Sequence, residues 1–307
     1  MTTNDEPRPV QINALATEQV DPRYHDLDLA PTFEVLKAMN EAERSVPVAV
    51  AAVLPQLVEV VDATAQRMRS GGRLLYFGAG TSGRLGVLDA AECPPTFHTP
   101  PELVQGFIAG GRGAMFDAVE GAEDSAEQGA ADIVTAGVGP LDTVVGIAAS
   151  GRTPYVLGAI EAASRAGAMT VALACNTGSA LGAVADHTVE IDVGPEVLAG
   201  STRLKAGTAT KQVLNMISTG VMVRLGKTYR NLMVDVTVTN AKLRNRAERL
   251  VTAITGVDGD GATKALDAAG QRVPVAVLML QDGLDRAQAE QALADAGGVL
   301  RQALRDL

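Results

Sequence analysis

Leu74-Leu75-Tyr76-Phe77-Gly78-Ala79-Gly80-Thr81-Ser82-Gly83-Arg84 runs from four consecutive apolar residues into a cluster of glycines and hydroxyls. The apolar run reads as a strand covered on both faces, and the cluster reads as a tight loop that opens a helix. A second stretch repeats the pattern: Val144-Val145-Gly146-Ile147 leads into Ala148-Ala149-Ser150-Gly151-Arg152-Thr153-Pro154. Free backbone N–H groups at a helix start, together with the helix dipole, make a spot that favours an anion. Two such loops from two strands of one sheet point to a pocket for a small phosphorylated molecule.

Gly78, Gly80 and Gly83 also fit G-x-G-x-x-G, the dinucleotide fingerprint. That motif expects an acidic residue at the end of the next strand. The next strand, Leu103–Ile108, ends in Ala109-Gly110-Gly111-Arg112, with no carboxylate. Arg112 leaves a cofactor carrying a 2′-phosphate as an alternative. Plain strand-to-helix turns would explain the glycines, but not Thr81, Ser82, Ser150 and Thr153 together.

Outward from these loops the chain alternates. Strands are expected at Arg73–Phe77, Leu103–Ile108, Thr143–Ile147, Met169–Ala174 and His187–Ile191. Helices are expected at Gly83–Ala91, Met115–Thr135, Thr153–Ala166 and Gly178–Val184, with Pro94, Pro95, Pro100 and Pro101 cutting the first one short. The alternation implies an α/β fold with a doubly wound parallel five-stranded sheet and a ligand site at the carboxyl ends of the strands. Upstream, residues 1 to about 25 read as an extended arm. Thr32–Ala42 and Val46–Arg69 have helical spacing, the latter stopped by Gly71-Gly72. Downstream, Ser201–Leu225 reads as one long helix whose start, through Ser201, Arg203 and Lys205, adds hydroxyls and cations. Residues 240–307 read as helical, with breaks at Gly256–Gly261, Asp282–Gly283 and Gly297–Gly298. Asp258-Gly259-Asp260-Gly261 lacks the closing Glu of a calcium loop and is expected to be a capped turn. The expected units are 1–60 (arm and helices), 61–230 (sheet domain) and 231–307 (helical cap).

The chain of 307 residues carries a formal charge of −10, which argues against nucleic acid as a partner. At 47% hydrophobic residues it can fill a core, and with no Trp, four Tyr and five Phe that core must rest on aliphatics. Met1–Pro9 is polar, without a signal-peptide core, and no apolar run reaches membrane-spanning length. The expectation is a cytoplasmic protein in which Cys93 and Cys175 stay reduced. His25, His98 and His187 stand at no ligand spacing, so no metal and no cofactor are expected. Ser150 lacks a G-x-S-x-G elbow. Carboxylates remain as the chemistry-bearing groups. Glu92 sits before Cys93-Pro94-Pro95 and is expected in apolar, rigid surroundings, and Glu120 and Glu123 follow the second strand.

The run Gly78–Gly86 continuing to Glu92-Cys93-Pro94-Pro95-Thr96 resembles the N-acetylmuramic acid 6-phosphate etherase family. So do Leu15-Ala16-Thr17-Glu18, Ala118–Ser125, Gly146–Tyr155, Gly200–Thr208 and Asn231–Val236. The resemblance implies a sugar-isomerase (SIS), flavodoxin-like domain with a C-terminal helical cap, assembled as a homodimer. It implies cleavage of the D-lactyl ether of an amino-sugar phosphate, with Glu92 as proton donor and Glu123 as the second catalytic glutamate. Gly80, Thr81, Ser82, Ser150, Gly151, Arg152, Thr153, Ser201 and Lys205 would then hold the sugar or its phosphate. Two other readings share the scaffold: a sugar-phosphate isomerase, and a non-catalytic sugar-phosphate-binding regulator of a hexose kinase.

Overall fold

A computed structural model describes residues 15–304 except 237 and 239. The arm expected at residues 1 to about 25 falls outside it up to residue 14. From Leu15 onward the segment is a series of short 3-10 turns: Ala16–Glu18, Pro22–Tyr24 and Leu27–Leu29. Then come α1 (Thr32–Glu43), α2 (Val46–Ala52) and α3 (Leu54–Arg69). Val46–Arg69 is two helices rather than the single one expected. Pro55, in the first turn of α3, lacks the N–H that a continuous helix would need, and the α1–α2 stretch meets α3 at 59°.

The sheet follows: β1 (Leu74–Gly78), α4 (Gly80–Phe97), β2 (Val104–Ile108), α5 (Ala126–Thr135), β3 (Thr143–Ala148), α6 (Pro154–Arg165), β4 (Met169–Ala174) and β5 (His187–Glu190). All five strands are parallel, in the order β2-β1-β3-β4-β5. The chain winds one way from β1 to β2 and the other way from β3 onward. The reversal lies between β1 and β3, where ligands enter open α/β sheets. Gly78 pairs in register with Ile147, so the two glycine loops leave the sheet side by side.

The central strands β1, β3 and β4 are buried on both faces, and alternate residues feed two cores. Leu74, Tyr76, Val145, Ile147, Val171 and Leu173 pack with α2, α3 and the long helix α7 (Lys205–Arg224). Leu75, Phe77, Val144 and Ala172 pack with Ile133 of α5 and with Tyr155, Val156 and Ile160 of α6. Beyond α7, β6 (Thr228–Tyr229) and β7 (Leu232–Met233) form a small antiparallel ladder that alternation did not reveal. Helices α8 (Ala241–Thr255), α9 (Gly259–Ala268), α10 (Val273–Asp282), α11 (Arg286–Asp295) and α12 (Leu300–Ala303) complete the fold around a separate core that includes Val251, Leu266 and Val277. Asp258 accepts from Gly261 N at 2.7 Å, which makes its loop the capped turn expected.

Three sequence expectations fail here. Helix α4 passes through Pro94 and Pro95, which were expected to cut it short, and ends only at His98, in the left-handed conformation. Residues 115–125 are loop and 3-10 turn instead of helix. Gly121 is left-handed, and Ser125 starts α5 by accepting from Gln128 N. Gly178–Val184 forms turns instead of a helix: Gly178 is left-handed at φ +64°, and the Glu190 carboxylate accepts from the N–H groups of Gly178 and Ser179, both at 2.7 Å.

Candidate functional site

The β1 loop depends on close approach. A Cβ at Gly78 would stand 2.7 Å from Gly83 N, and one at Gly83 would stand 2.7 Å from Gly78 O. With glycine at both, α4 starts directly against the strand end, and no side chain caps its first turn. The N–H groups of that turn therefore point outward beside the half-buried Thr81 and Ser82. In the β3 loop Ser150 Oγ accepts from Arg152 N at 3.3 Å, and Thr153 leads into α6, whose start also has no side-chain cap. Gly151 sits at φ +66°, and a Cβ there would lie 2.3 Å from Ser179 Cβ. The β4 loop thus packs onto the β3 loop.

Of the expected binding residues, Gly80, Thr81, Ser82, Ser150, Gly151, Arg152 and Thr153 lie on these adjoining loops at the switch point. The 200–208 segment joins them from α7, since a Cβ at Gly207 would stand 3.8 Å from Thr81 Cγ2. Ser201 is half-buried in that segment. The helix itself begins at Lys205 rather than Ser201, and its amides are already taken. The Glu196 carboxylate, 1% exposed, accepts from Lys205 N at 3.0 Å and Ala206 N at 2.9 Å. Burial raises the Glu196 pKa against those bonds. Lys205, 5% exposed, donates Nζ to Val193 O at 2.6 Å, and burial lowers its pKa. Lys205 also lines a cavity of ≈ 510 Å³ bounded by residues 22–27 and α1. Lys205 thus serves this corner of the fold before any ligand arrives.

Both glutamates are on the surface. Glu92 is exposed on α4, which overturns the expectation of apolar, proline-wedged surroundings, and Glu123 is exposed in the 3-10 turn before α5. What is rigid lies under Glu92. Asp89, one turn earlier, accepts from Tyr76 Oη at 2.9 Å, Asn215 Nδ2 at 2.7 Å and Ser218 Oγ at 3.1 Å. Cys93 is pushed up to about 12 by burial and by the Asp89 and Glu92 carboxylates, and Cys175 reaches about 12 by burial. Both thiols are inert at neutral pH. Among the described residues no three His, Cys, Asp or Glu side chains form a metal-ligand set.

Four framing residues escaped the sequence reading: Asn176, Ser179, Glu190 and Glu196. Asn176 Nδ2 donates to Ala149 O and Thr17 Oγ1, both at 2.9 Å, and so ties the 15–18 segment to the β3 loop. The signal was Cys175-Asn176-Thr177-Gly178-Ser179, a third polar break after an apolar strand.

Comparison with known proteins places this geometry. The sequence profile of the glucokinase regulatory protein N-terminal SIS domain matches residues 56–164, and that of the SIS domain matches residues 123–219. Among solved structures, a phosphoheptose isomerase from Francisella tularensis aligns at TM-score 0.47 and 18% identity, over 63% of this chain and 100% of that one. The chain is 54% identical over 292 residues to an N-acetylmuramic acid 6-phosphate etherase of Cutibacterium acnes, covering 95% of this chain and 96% of that protein. It is 53% identical over 294 residues to one from Streptomyces avermitilis, covering 96% and 94%. A third relative of that name, from Rubrobacter xylanophilus, is 54% identical over 294 residues, covering 96% and 97%. At that identity over nearly its whole length, the chain belongs to the N-acetylmuramic acid 6-phosphate etherase family.

Proposed function

We propose that this protein is a carbon–oxygen lyase that cleaves the D-lactyl ether of N-acetylmuramic acid 6-phosphate, giving N-acetylglucosamine 6-phosphate and D-lactate. The observation that carries the reading is identity above 50% along almost the full chain to relatives of that name. The uncapped helix starts and hydroxyls at the switch point support it, since they suit a phosphorylated sugar.

The chemistry asks for two proton-transfer groups. An ether oxygen on C3 leaves poorly unless protonated, and the C2 proton is acidic only beside an open-chain aldehyde. A carboxylate takes the C2 proton while a carboxylic acid protonates the departing lactate, and the C3–O bond breaks. Water then adds at C3 and a proton returns to C2. We assign Glu92 as the acid and Glu123 as the base. The hydroxyls of Thr81, Ser82, Ser150 and Thr153 hold the phosphate and sugar, with Gly80, Gly151, Arg152, Ser201 and Lys205 around them.

We further infer a cytoplasmic homodimer acting in amino-sugar metabolism and the recycling of peptidoglycan fragments. Among the described residues no single helix is long and apolar enough to cross a membrane. Helix α1 buries none of its residues and leaves Phe33 and Leu36 exposed, a face suited to a second copy. The division at residues 60 and 230 is likewise a proposal; the separate core from Tyr229 onward supports the second boundary.

The match to a regulatory protein's SIS domain keeps a sugar-phosphate sensor as the second reading. Incubation with N-acetylmuramic acid 6-phosphate separates the two. The lyase releases D-lactate; a sensor binds the sugar and releases nothing.

A further inference from the structure

We propose that Lys211 holds the carboxylate of the substrate's lactyl group, and so turns the ether oxygen towards Glu92 and separates substrate from product. This rests on the etherase reading. N-acetylmuramic acid 6-phosphate carries two anions, the phosphate and the lactyl carboxylate, and the glycine loops account for the first. N-acetylglucosamine 6-phosphate carries the phosphate alone.

Helices α4 and α7 run side by side in the same direction. Gly207 meets Thr81, since a Cβ on the glycine would stand 3.8 Å from Thr81 Cγ2. Eight residues further along both helices, Asn215 Nδ2 donates to Asp89 Oδ1 at 2.7 Å. The helices are therefore in step. Lys211 is four residues from both Gly207 and Asn215, so it shares their face of α7 and stands level with Leu85 of α4. On α4, residues 81, 85, 88 and 92 share one face by the same spacing. At 1.5 Å per residue, Lys211 lies about 6 Å past the level of Thr81 and about 10 Å before that of Glu92. Its long stem lets the ammonium reach the stretch of seam between the phosphate loops and the acid.

Nothing in the protein occupies that ammonium. Lys211 is exposed, and among the described residues it has no hydrogen bond and no ion pair. Helix α7 contains no acidic residue. The acids of α4 are Glu92 itself and Asp89, which is taken up by Tyr76, Asn215 and Ser218. The cations next to Lys211 along the seam are committed or lie elsewhere. Arg84 donates Nε to Met115 O at 3.1 Å, and Lys205 donates Nζ to Val193 O at 2.6 Å. Arg203 precedes α7, past Thr81 and away from Glu92. A charge-assisted hydrogen bond from Lys211 to the carboxylate fixes the lactyl arm. The ether oxygen is two bonds from the carboxylate carbon, so fixing one directs the other. When the C3–O bond breaks, the carboxylate leaves with D-lactate, and the remaining sugar has lost the contact.

The test compares N-acetylmuramic acid 6-phosphate with the same sugar whose lactyl carboxylate is a primary amide, close in shape and uncharged. Turnover and calorimetric titration are measured for the parent, Lys211→Met and Lys211→Arg. The parent should favour the acid over the amide about tenfold to a hundredfold in kcat/KM and in affinity. Lys211→Met should lose that preference while binding N-acetylglucosamine 6-phosphate as the parent does, and Lys211→Arg should keep most of it. Each ratio is internal to one protein, so any loss of folded material cancels. A Lys211→Met variant that keeps the preference overturns the proposal. So does one whose affinity for N-acetylglucosamine 6-phosphate falls as far as its affinity for the acid, because Lys211 would then serve the phosphate. A parent that releases no D-lactate removes the etherase reading instead. The titrations need no turnover, so the ratio of the two affinities still tests the carboxylate contact.

Discussion

Asp89→Ala should be among the most damaging substitutions in the sheet domain, although Asp89 touches no substrate. Its carboxylate is 5% exposed and accepts three bonds, from β1 through Tyr76 and from α7 through Asn215 and Ser218. Removing the acceptor strands two buried donors, Tyr76 and Ser218, and frees the exposed Asn215 amide. Hydrogen bonds to a charged group are each worth about 1.5–3 kcal/mol, and neighbouring losses are not additive, so the expected cost is about 3–6 kcal/mol. Against a domain stability of about 5–15 kcal/mol, that is a large fraction of the whole. Asp89→Asn keeps an oxygen for Asn215 and Ser218, and the Tyr76 hydroxyl can turn to accept from the new amide. It should cost only about 1–2 kcal/mol. Urea unfolding of the parent and both variants measures the difference. Because Glu92 stands one turn further along α4, Asp89→Asn should also lower kcat more than it raises KM. If Asp89→Ala costs no more than an ordinary surface change, or if Asn is as damaging as Ala, the network does not hold α4 and the argument fails.

Other outcomes follow from the site. Ser82→Ala and Ser150→Ala should each weaken binding of the phosphorylated sugar about tenfold to a hundredfold, read by calorimetric titration, since a bond to a charged phosphate is worth about 1.5–3 kcal/mol. Glu123→Gln should lose both C2 proton exchange and ether cleavage, whereas Glu92→Gln should lose cleavage and keep some exchange, each change costing about 10²–10⁴-fold in rate; NMR in deuterated water reads both, and the opposite pattern reverses the roles. Asp142 is paired with Arg73 at 2.7 Å, and its pKa lies below the ordinary 3.8 because the Arg73 and Gly139 bonds outweigh burial. A depressed carboxyl stabilises the fold above its unfolded pKa and loses that contribution as pH falls through the lowered value. Asp142→Asn should therefore flatten the acid limb of stability below about pH 4 and leave its shape near neutral unchanged. EDTA should leave lactate release unaffected, and loss restored by zinc or magnesium would contradict the two-carboxylate assignment.

The fold was legible where apolar runs ended in glycine. Each of the five expected strands overlaps its observed counterpart to within one residue at either end, because a strand buried on both faces leaves an unbroken apolar signature. Both glycine loops were legible for the same reason. The missed features depend on contacts distant in sequence. Glu190 holds the start of the Gly178–Val184 turns, and Glu196 caps α7 from nine residues upstream. Neither bond leaves a local pattern. Pro94 and Pro95 were read as a stop, yet near the end of α4 the helix tolerates them. The surroundings of Glu92 were misjudged because adjacent residues do not share a helix face: Cys93 turns inward and Glu92 outward.

The most direct measurement is cleavage of N-acetylmuramic acid 6-phosphate in ¹⁸O-labelled water, with both products analysed by mass spectrometry. Elimination followed by addition breaks the C3–O bond, so the label should appear in N-acetylglucosamine 6-phosphate at C3 and be absent from D-lactate. Label in the lactate hydroxyl, or no lactate at all, would contradict the account.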